Sequence, residues 1–276
     1  MNFGPPERLD YSRYQALKLS LKDGIMTVML SNPARRNAVT ARMSDELATI
    51  WEDLLVDPDV KAIIFTGEGK DFCSGADIGG LVGGPGDSEQ QVSYVNRATR
   101  YARKHVIGIL DCEKPVIAKV RGVAYGMGLS MALACDMVFA SDNARLCDSH
   151  VKIGLVAGDG GVLLWPLAVG IHRAKEYLMT GEPLDAKKAE EIGLINRCLP
   201  DDQLDQHVQN MVEKLSALPP HAVNYTKASL NLVLKQLAST PFEASLAYEV
   251  YTMRMDDVGE ATKAFMEKRK GRYTGN

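Results

Sequence analysis

Residues 114–141 read KPVIAKVRGVAYGMGLSMALACDMVFAS, and the succession of residue types in that stretch decides the fold. KPVIAKVRG (114–122) carries the short apolar, β-branched run of a buried strand. VAYGMG (123–128) is a glycine-bearing turn, LSMALACD (129–136) is built of helix formers, and MVFAS (137–141) is a second strand. Two strands joined by a helical crossover form a βαβ unit, so the sheet is expected to be largely parallel within a layered α/β domain.

The pattern continues on both sides. ALKLSLKDGIMTVMLSN (16–32) alternates apolar and polar residues around Asp23-Gly24, a hairpin signal. Thr40 opens a helical period through Leu47, Ile50, Trp51 and Leu54 that Pro58 ends. VKAIIFTG (60–67) is another buried strand, and Glu89 to Leu110 reads as a helix. GGLVGGPGDS (79–88) has the composition of a mobile loop. From Leu163 onward the periodicity is helical, apart from one short strand near LINRCLP (194–200). The expected organisation is a loose tail over 1–13, an α/β core over 14–200 and a helical region over 201–276. The last helices can pack on a second subunit or on their own core, and the pattern alone does not choose.

Bulk properties bound the function. The chain has 276 residues, 46% hydrophobic and 24% charged, with a formal charge of −3. These values suit one large domain or a domain with an appendage. Such a balance gives no electrostatic reason to bind nucleic acid. No apolar run is long enough for a membrane span, and the N-terminus lacks a secretory pattern. The five cysteines show no C-x-x-C spacing and the five histidines no H-E-x-x-H. Reduced thiols in a cytoplasm, no metal and no bound cofactor are therefore the expectation.

Two glycine turns suggest chemistry. FCSGADIGGL (72–81) and GVAYGMGLSMALACD (122–136) each have the form strand, glycine turn, helix start. Such turns aim free N–H groups outward, and two of them facing one cavity can grip a developing oxyanion. Taken singly, each glycine is more simply a tight-turn residue.

Taken together, NPARRNAV (32–39), FCSGADI (72–78), KPVIAKVRGVAYGMG (114–128), CDMVFAS (135–141), LMTGEPLDAKKAEEIGLIN (178–196) and FMEKRKGRY (265–273) make the chain resemble the crotonase superfamily of enoyl-CoA hydratases and isomerases. The resemblance implies a spiral of repeated ββα units, with C-terminal helices assembling trimers or pairs of trimers. It implies an acyl-CoA thioester substrate, as in fatty acid metabolism, whose carbonyl lies between the N–H groups of Ala76 and Met127. By motif position, Arg36 and Ala38 fall in the loop that meets the nucleotide, and Ser74, Asp77 and Ile78 in the segment lining the adenine side. Phe265 and Lys268 fall in a C-terminal helix that reaches the phosphates, where the basic run EKRKGR supplies charge. That run also suits a solvated helix end.

The chain departs from the family at its acid–base positions. Where hydratases of the family carry two glutamates, this sequence has Ser130 and His150. A serine hydroxyl positions water but is not an unassisted base. His150 exchanges protons near neutrality, and Asp159, in VAGDGG, supplies a carboxylate to orient it. The plainer alternative makes His150 a rim residue and Asp159 the cap of the following helix. His150, the aspartate of GDG and Trp165-Pro166 also match the β-diketone hydrolases of crotonase fold. Three activities follow: hydration or isomerisation of an enoyl-CoA by a His150–Asp159 pair, hydrolysis of a carbon–carbon bond in a β-diketone, or acyl-CoA binding without turnover. A Ser130–His150–Asp159 hydrolytic triad is disfavoured because Ser130 lies within a helical run rather than on a nucleophile elbow. Glu243 and Glu249 lie on C-terminal helices that can reach a neighbouring site.

Overall fold

A computed structural model describes residues 9–77 and 89–276. Ile78, the expected mobile loop and most of the expected N-terminal tail lie outside the described residues. The tail's last residues are docked: Tyr11–Arg13 form a 3-10 turn capped by Asp10, and the Tyr11 hydroxyl donates to Asp57 at 2.5 Å.

Asp23-Gly24 turns the chain from β1 (Leu17–Lys22) into antiparallel β2 (Ile25–Leu30). Thr40 caps α1 (Ala41–Val56) by accepting from the Met43 N–H, one of the donors a helix start leaves open. Then follow β3 (Ala62–Gly67), α2 (Glu89–Asp111), β4 (Val116–Val120), β5 (Val123–Tyr125), α3 (Met127–Ala134) and β6 (Met137–Ser141). Next come β7 (Arg145–Cys147), α4 (Gly161–Val169), α5 (Ile171–Thr180), β8 (Leu184–Asp185), α6 (Ala186–Glu191) and β9 (Arg197–Leu199). Helices α7 (Asp201–Ser216) and α8 (Pro220–Leu237) end the chain with α9 (Glu243–Thr252) and α10 (Asp256–Met266). A wider-wound turn over Ala238–Phe242, containing Pro241, joins α8 to α9.

The main sheet has the order β1-β2-β3-β4-β6-β9, and every pair after the hairpin is parallel. β3 is buried on both faces, which explains its unbroken apolar run. One face packs Ile64, Ile117 and Phe139 against Leu204, Val208 and Val212 of α7, and the larger core fills the other side. The sequence reading missed a second sheet of order β5-β7-β8. Its first strand lies inside the segment read as a turn, because strands of three, three and two residues are too short to show a period.

The two sheets bring the glycine turns together. Cys73 forms a parallel bridge with Ala124: its N–H donates to Val123 O at 2.8 Å, and its carbonyl accepts from the Tyr125 N–H at 2.9 Å. Gly128 packs on the same residue so closely that an added Cβ would lie 2.6 Å from Cys73 Cβ.

Candidate active site

The bridge sets two backbone amides side by side. Val39 donates to Gly75 O and accepts from the Asp77 N–H. The peptide between Gly75 and Ala76 is trans, so the Ala76 N–H points away from Val39. A Cβ built on Gly75 would lie 4.0 Å from Gly126 Cα, so each glycine places the next residue's amide in one locality. Met127 is the first residue of α3, a position whose N–H has no partner within the helix. Ala76 and Met127, expected from two separate motifs, lie on turns that meet here.

Gly126 is the hinge of this arrangement. Its φ of 50° and ψ of −126° fall where only glycine is comfortable. A Cβ there would lie 3.5 Å from His150 Cε1 and 3.8 Å from Nε2. The imidazole therefore stands directly beneath the turn that carries the Met127 amide.

His150 begins a 3-10 turn over His150–Ile153 and is buried, contrary to a rim position. Its Nε2 faces Asp159 Oδ2 at 3.1 Å, and its Nδ1 faces Asp148 Oδ1 at 2.6 Å. The second carboxylate was missed: Asp148 is only two residues away, but its role depends on ring direction. Asp159 does not cap α4, whose cap position is Gly160 with no side-chain bond. Its other oxygen instead accepts from Ser130 Oγ at 2.8 Å, and both residues are 2% exposed. The Ser130 hydroxyl, expected at the substrate as a group that positions water, thus donates to a carboxylate.

The charges tune one another. Burial pulls His150 downward, but the Asp159 and Asp148 charges and their hydrogen bonds more than offset it and hold the ring well above the usual histidine range. Burial pushes Asp159 up, yet the His150 charge, its N–H and the Ser130 hydroxyl hold the carboxyl below its ordinary value. A third carboxyl arrives from α9. Glu249 is buried, and burial pushes it up to about 8; His150 opposes the shift, while Asp159 and Asp148 reinforce it. Only glycine at 158 lets α9 come this close, since a Cβ there would lie 2.5 Å from Glu249 Oε2 and 2.6 Å from Ser245 O. His105 of α2 is fully buried within electrostatic reach of Asp159, with Nε2 3.0 Å from Ser44 O. Among the described residues no group of three or more His, Cys, Asp or Glu is arranged to hold a metal ion.

The residues assigned to coenzyme A by motif fall in two places. Arg36, at φ 50°, stands 3.9 Å from Asp71 and accepts through its carbonyl from the Ser74 N–H at 2.9 Å. Ala38 is buried beside it; the Ser74 hydroxyl donates to Arg35 O, and Asp77 pairs with Arg35 at 2.6 Å. This group adjoins the Ala76 amide. Phe265 is exposed near the end of α10, whereas Lys268 lies beyond the helix rather than within it, at φ 53°. The basic run offers less free charge than its composition suggests, because Arg269 is paired with Glu260 and Glu267. The C-terminal region nonetheless touches the site segment: a Cβ on Gly154 would lie 3.1 Å from Val258 Cα. Trp165 is a core residue, its ring 5.7 Å from Tyr177. Burial pushes the Cys147 thiol up to about 11, consistent with an inert packing residue.

A parallel-sheet α/β core whose glycine turns meet above a buried acid–base cluster is the arrangement of the crotonase superfamily, and the chain belongs to it. Within it, the family model described as enoyl-CoA hydratase/isomerase matches residues 20–276. The 1,2-epoxyphenylacetyl-CoA isomerase of Escherichia coli is 28% identical over 255 residues, covering 92% of this chain and 97% of that protein. The mitochondrial enoyl-CoA hydratase domain-containing protein 3 of Homo sapiens is 32% identical over 251 residues, covering 90% and 80%. The crystal structure of an enoyl-CoA hydratase from Mycobacterium avium subsp. paratuberculosis superimposes with a TM-score of 0.85 at 28% identity, covering 94% of this chain and 99% of that one. Among the described residues no helix is long and apolar enough to cross a membrane.

Proposed function

We propose that this chain acts on an enoyl-CoA thioester and moves a proton at the carbon beside the thioester carbonyl, with double-bond isomerisation as its reaction. The observation that carries this reading is Asp159, the one carboxyl of the cluster held below its ordinary value, gripped by Ser130 and by the His150 ring that lies under the turn carrying the Met127 amide. Hydration needs one group to activate water and another to protonate carbon, whereas isomerisation needs one base that takes a proton and returns it.

The thioester oxygen is received by the Ala76 and Met127 N–H groups, which strengthen their hold as negative charge develops there. The His150–Asp159 pair accepts the proton from carbon. The C–H electrons move to the carbonyl oxygen as an enolate, and the same proton returns at the far end of the conjugated system. No atom is gained or lost. Arg36, Ser74 and Asp77 lie on the loop beside the Ala76 amide and suit the nucleotide end of coenzyme A; Phe265 and Lys268 suit its phosphates. The exposed apolar side chains of the last helices, among them Leu230, Leu232, Val233, Tyr248 and Tyr251, suit burial between copies of the chain in a trimer or pair of trimers.

The test incubates the protein with a 3-enoyl-CoA, crotonyl-CoA, a longer 2-enoyl-CoA and a cyclic β-diketone, beside Asp159→Asn and His150→Ala variants. Turnover of the 3-enoyl-CoA that both variants lose supports the proposal. Cleavage of the diketone alone, tight acyl-CoA binding without turnover, or full rates in both variants would each replace it.

A further inference from the structure

His150 has a carboxylate on each ring nitrogen, at 2.6 Å from Asp148 and 3.1 Å from Asp159. A neutral imidazole has one N–H, so it satisfies one of these contacts and turns a lone pair toward the other carboxylate. Only the imidazolium donates to both. We infer that Asp148 is a positioning residue that keeps His150 protonated on both nitrogens, leaving Asp159 to carry the mobile proton. The inference rests on the reading above and reverses the expected division of labour, in which the histidine moves the proton and a carboxylate orients it.

The surroundings of Asp148 argue for this. It is 2% exposed, and its Oδ1 also lies 3.4 Å from the His150 N–H of the backbone, which fixes the carboxylate against the ring. Its Oδ2 lies over the first residue of α4, where a Cβ on Gly161 would approach to 2.2 Å. The N-terminus of that nine-residue helix favours a negative charge. Other titratable groups around the ring act in both directions. Glu249 of α9 adds negative potential when ionised; Lys152 of the same segment acts on Cys147, and the Cys147 and Cys73 thiols stay protonated. His105 of α2 and Ser130 of α3 act on Asp159 rather than on the ring.

With His150 a fixed cation, its proton is not the one transferred. Asp159 takes the proton from the substrate carbon through an oxygen lone pair and gives it back at the second carbon. The imidazolium and Ser130 keep their hydrogen bonds to it throughout.

The experiment records long-range ¹H–¹⁵N imidazole spectra of the labelled protein from pH 5.5 to 9, with His150→Gln to assign the ring. The expected spectrum shows His150 with both nitrogens protonated at pH 8. Asp148→Asn should bring its titration midpoint down by two or more pH units. The variant's kcat/KM should fall at least tenfold between pH 6 and 8.5, where the parent profile is flat, with KM changing little. A His150 that is singly protonated at pH 7 in the parent overturns the inference even if the variant fails to fold. So does an unchanged midpoint in a folded Asp148→Asn. The spectra need no substrate: a doubly protonated His150 in a protein inactive on every thioester would refute the enoyl-CoA reading alone.

Discussion

Replacing Glu249 by glutamine should stabilise the protein in a way that depends steeply on pH. Burial first, against His150 and with Asp159 and Asp148, moves this carboxyl from 4.5 to about 8. Well below pH 4.5, the group is neutral whether the chain is folded or not. Between pH 4.5 and 8 the unfolded chain ionises while the folded chain keeps its proton. The folded state then binds more protons, so its stability falls as pH rises, by about 1.4 kcal/mol per pH unit. The cumulative cost is about 3 kcal/mol at pH 7 and levels off near ~5 kcal/mol above pH 8. Glutamine keeps the shape without the ionisation, so Glu249→Gln should be nearly neutral at pH 4.5 and more stable at higher pH. At roughly 2–4 °C per kcal/mol for a chain somewhat smaller than this one, the gap in Tm at pH 7 should be about 6–12 °C. Melting curves of both proteins at pH 5, 7 and 8.5 check this. A gap that stays constant across the three, or that closes as pH rises, would show that Glu249 is already ionised in the folded protein.

Met127→Pro removes one proposed oxyanion donor at the first position of a helix, where proline is tolerated, so turnover should fall by about 10² to 10³ while circular dichroism stays native. Gly128→Ala forces a methyl into Cys73 and pushes the two glycine turns apart; urea titration should report a loss of about 1–3 kcal/mol, with a larger loss of activity. Ser130→Ala leaves Asp159 with one donor fewer and should lower kcat more than it raises KM, as steady-state kinetics would reveal. Leu232→Glu with Val233→Glu should dissociate the proposed assembly, read as a mass near that of one chain by light scattering.

Much of this was legible from local chemistry. Asp23-Gly24 and Thr40 marked a turn and a cap because a two-residue turn and an N-cap are specified by the residues themselves. His150 and Asp159 stood out because each occupies an acid–base position of the family motif. What was not legible came from direction and distance. Asp148 lies two residues before His150, yet nothing in CDSH says which way a ring nitrogen points. Glu249 reaches Gly158 from a helix about ninety residues downstream, a contact that only the packed chain defines. The basic run near the C-terminus looked like free charge until Glu260 and Glu267 were found on Arg269.

The close approach of α9 to Gly158 constrains one codon and leaves another open. A methyl at 158 would lie 2.6 Å from Ser245 O and 2.8 Å from Glu249 Cβ as well as 2.5 Å from the carboxyl oxygen, so shortening residue 249 alone does not open room there. Position 158 therefore stays glycine whatever stands at 249, whereas 249 is free to vary, and laboratory evolution toward a new acyl group gains more from randomising 249 than 158.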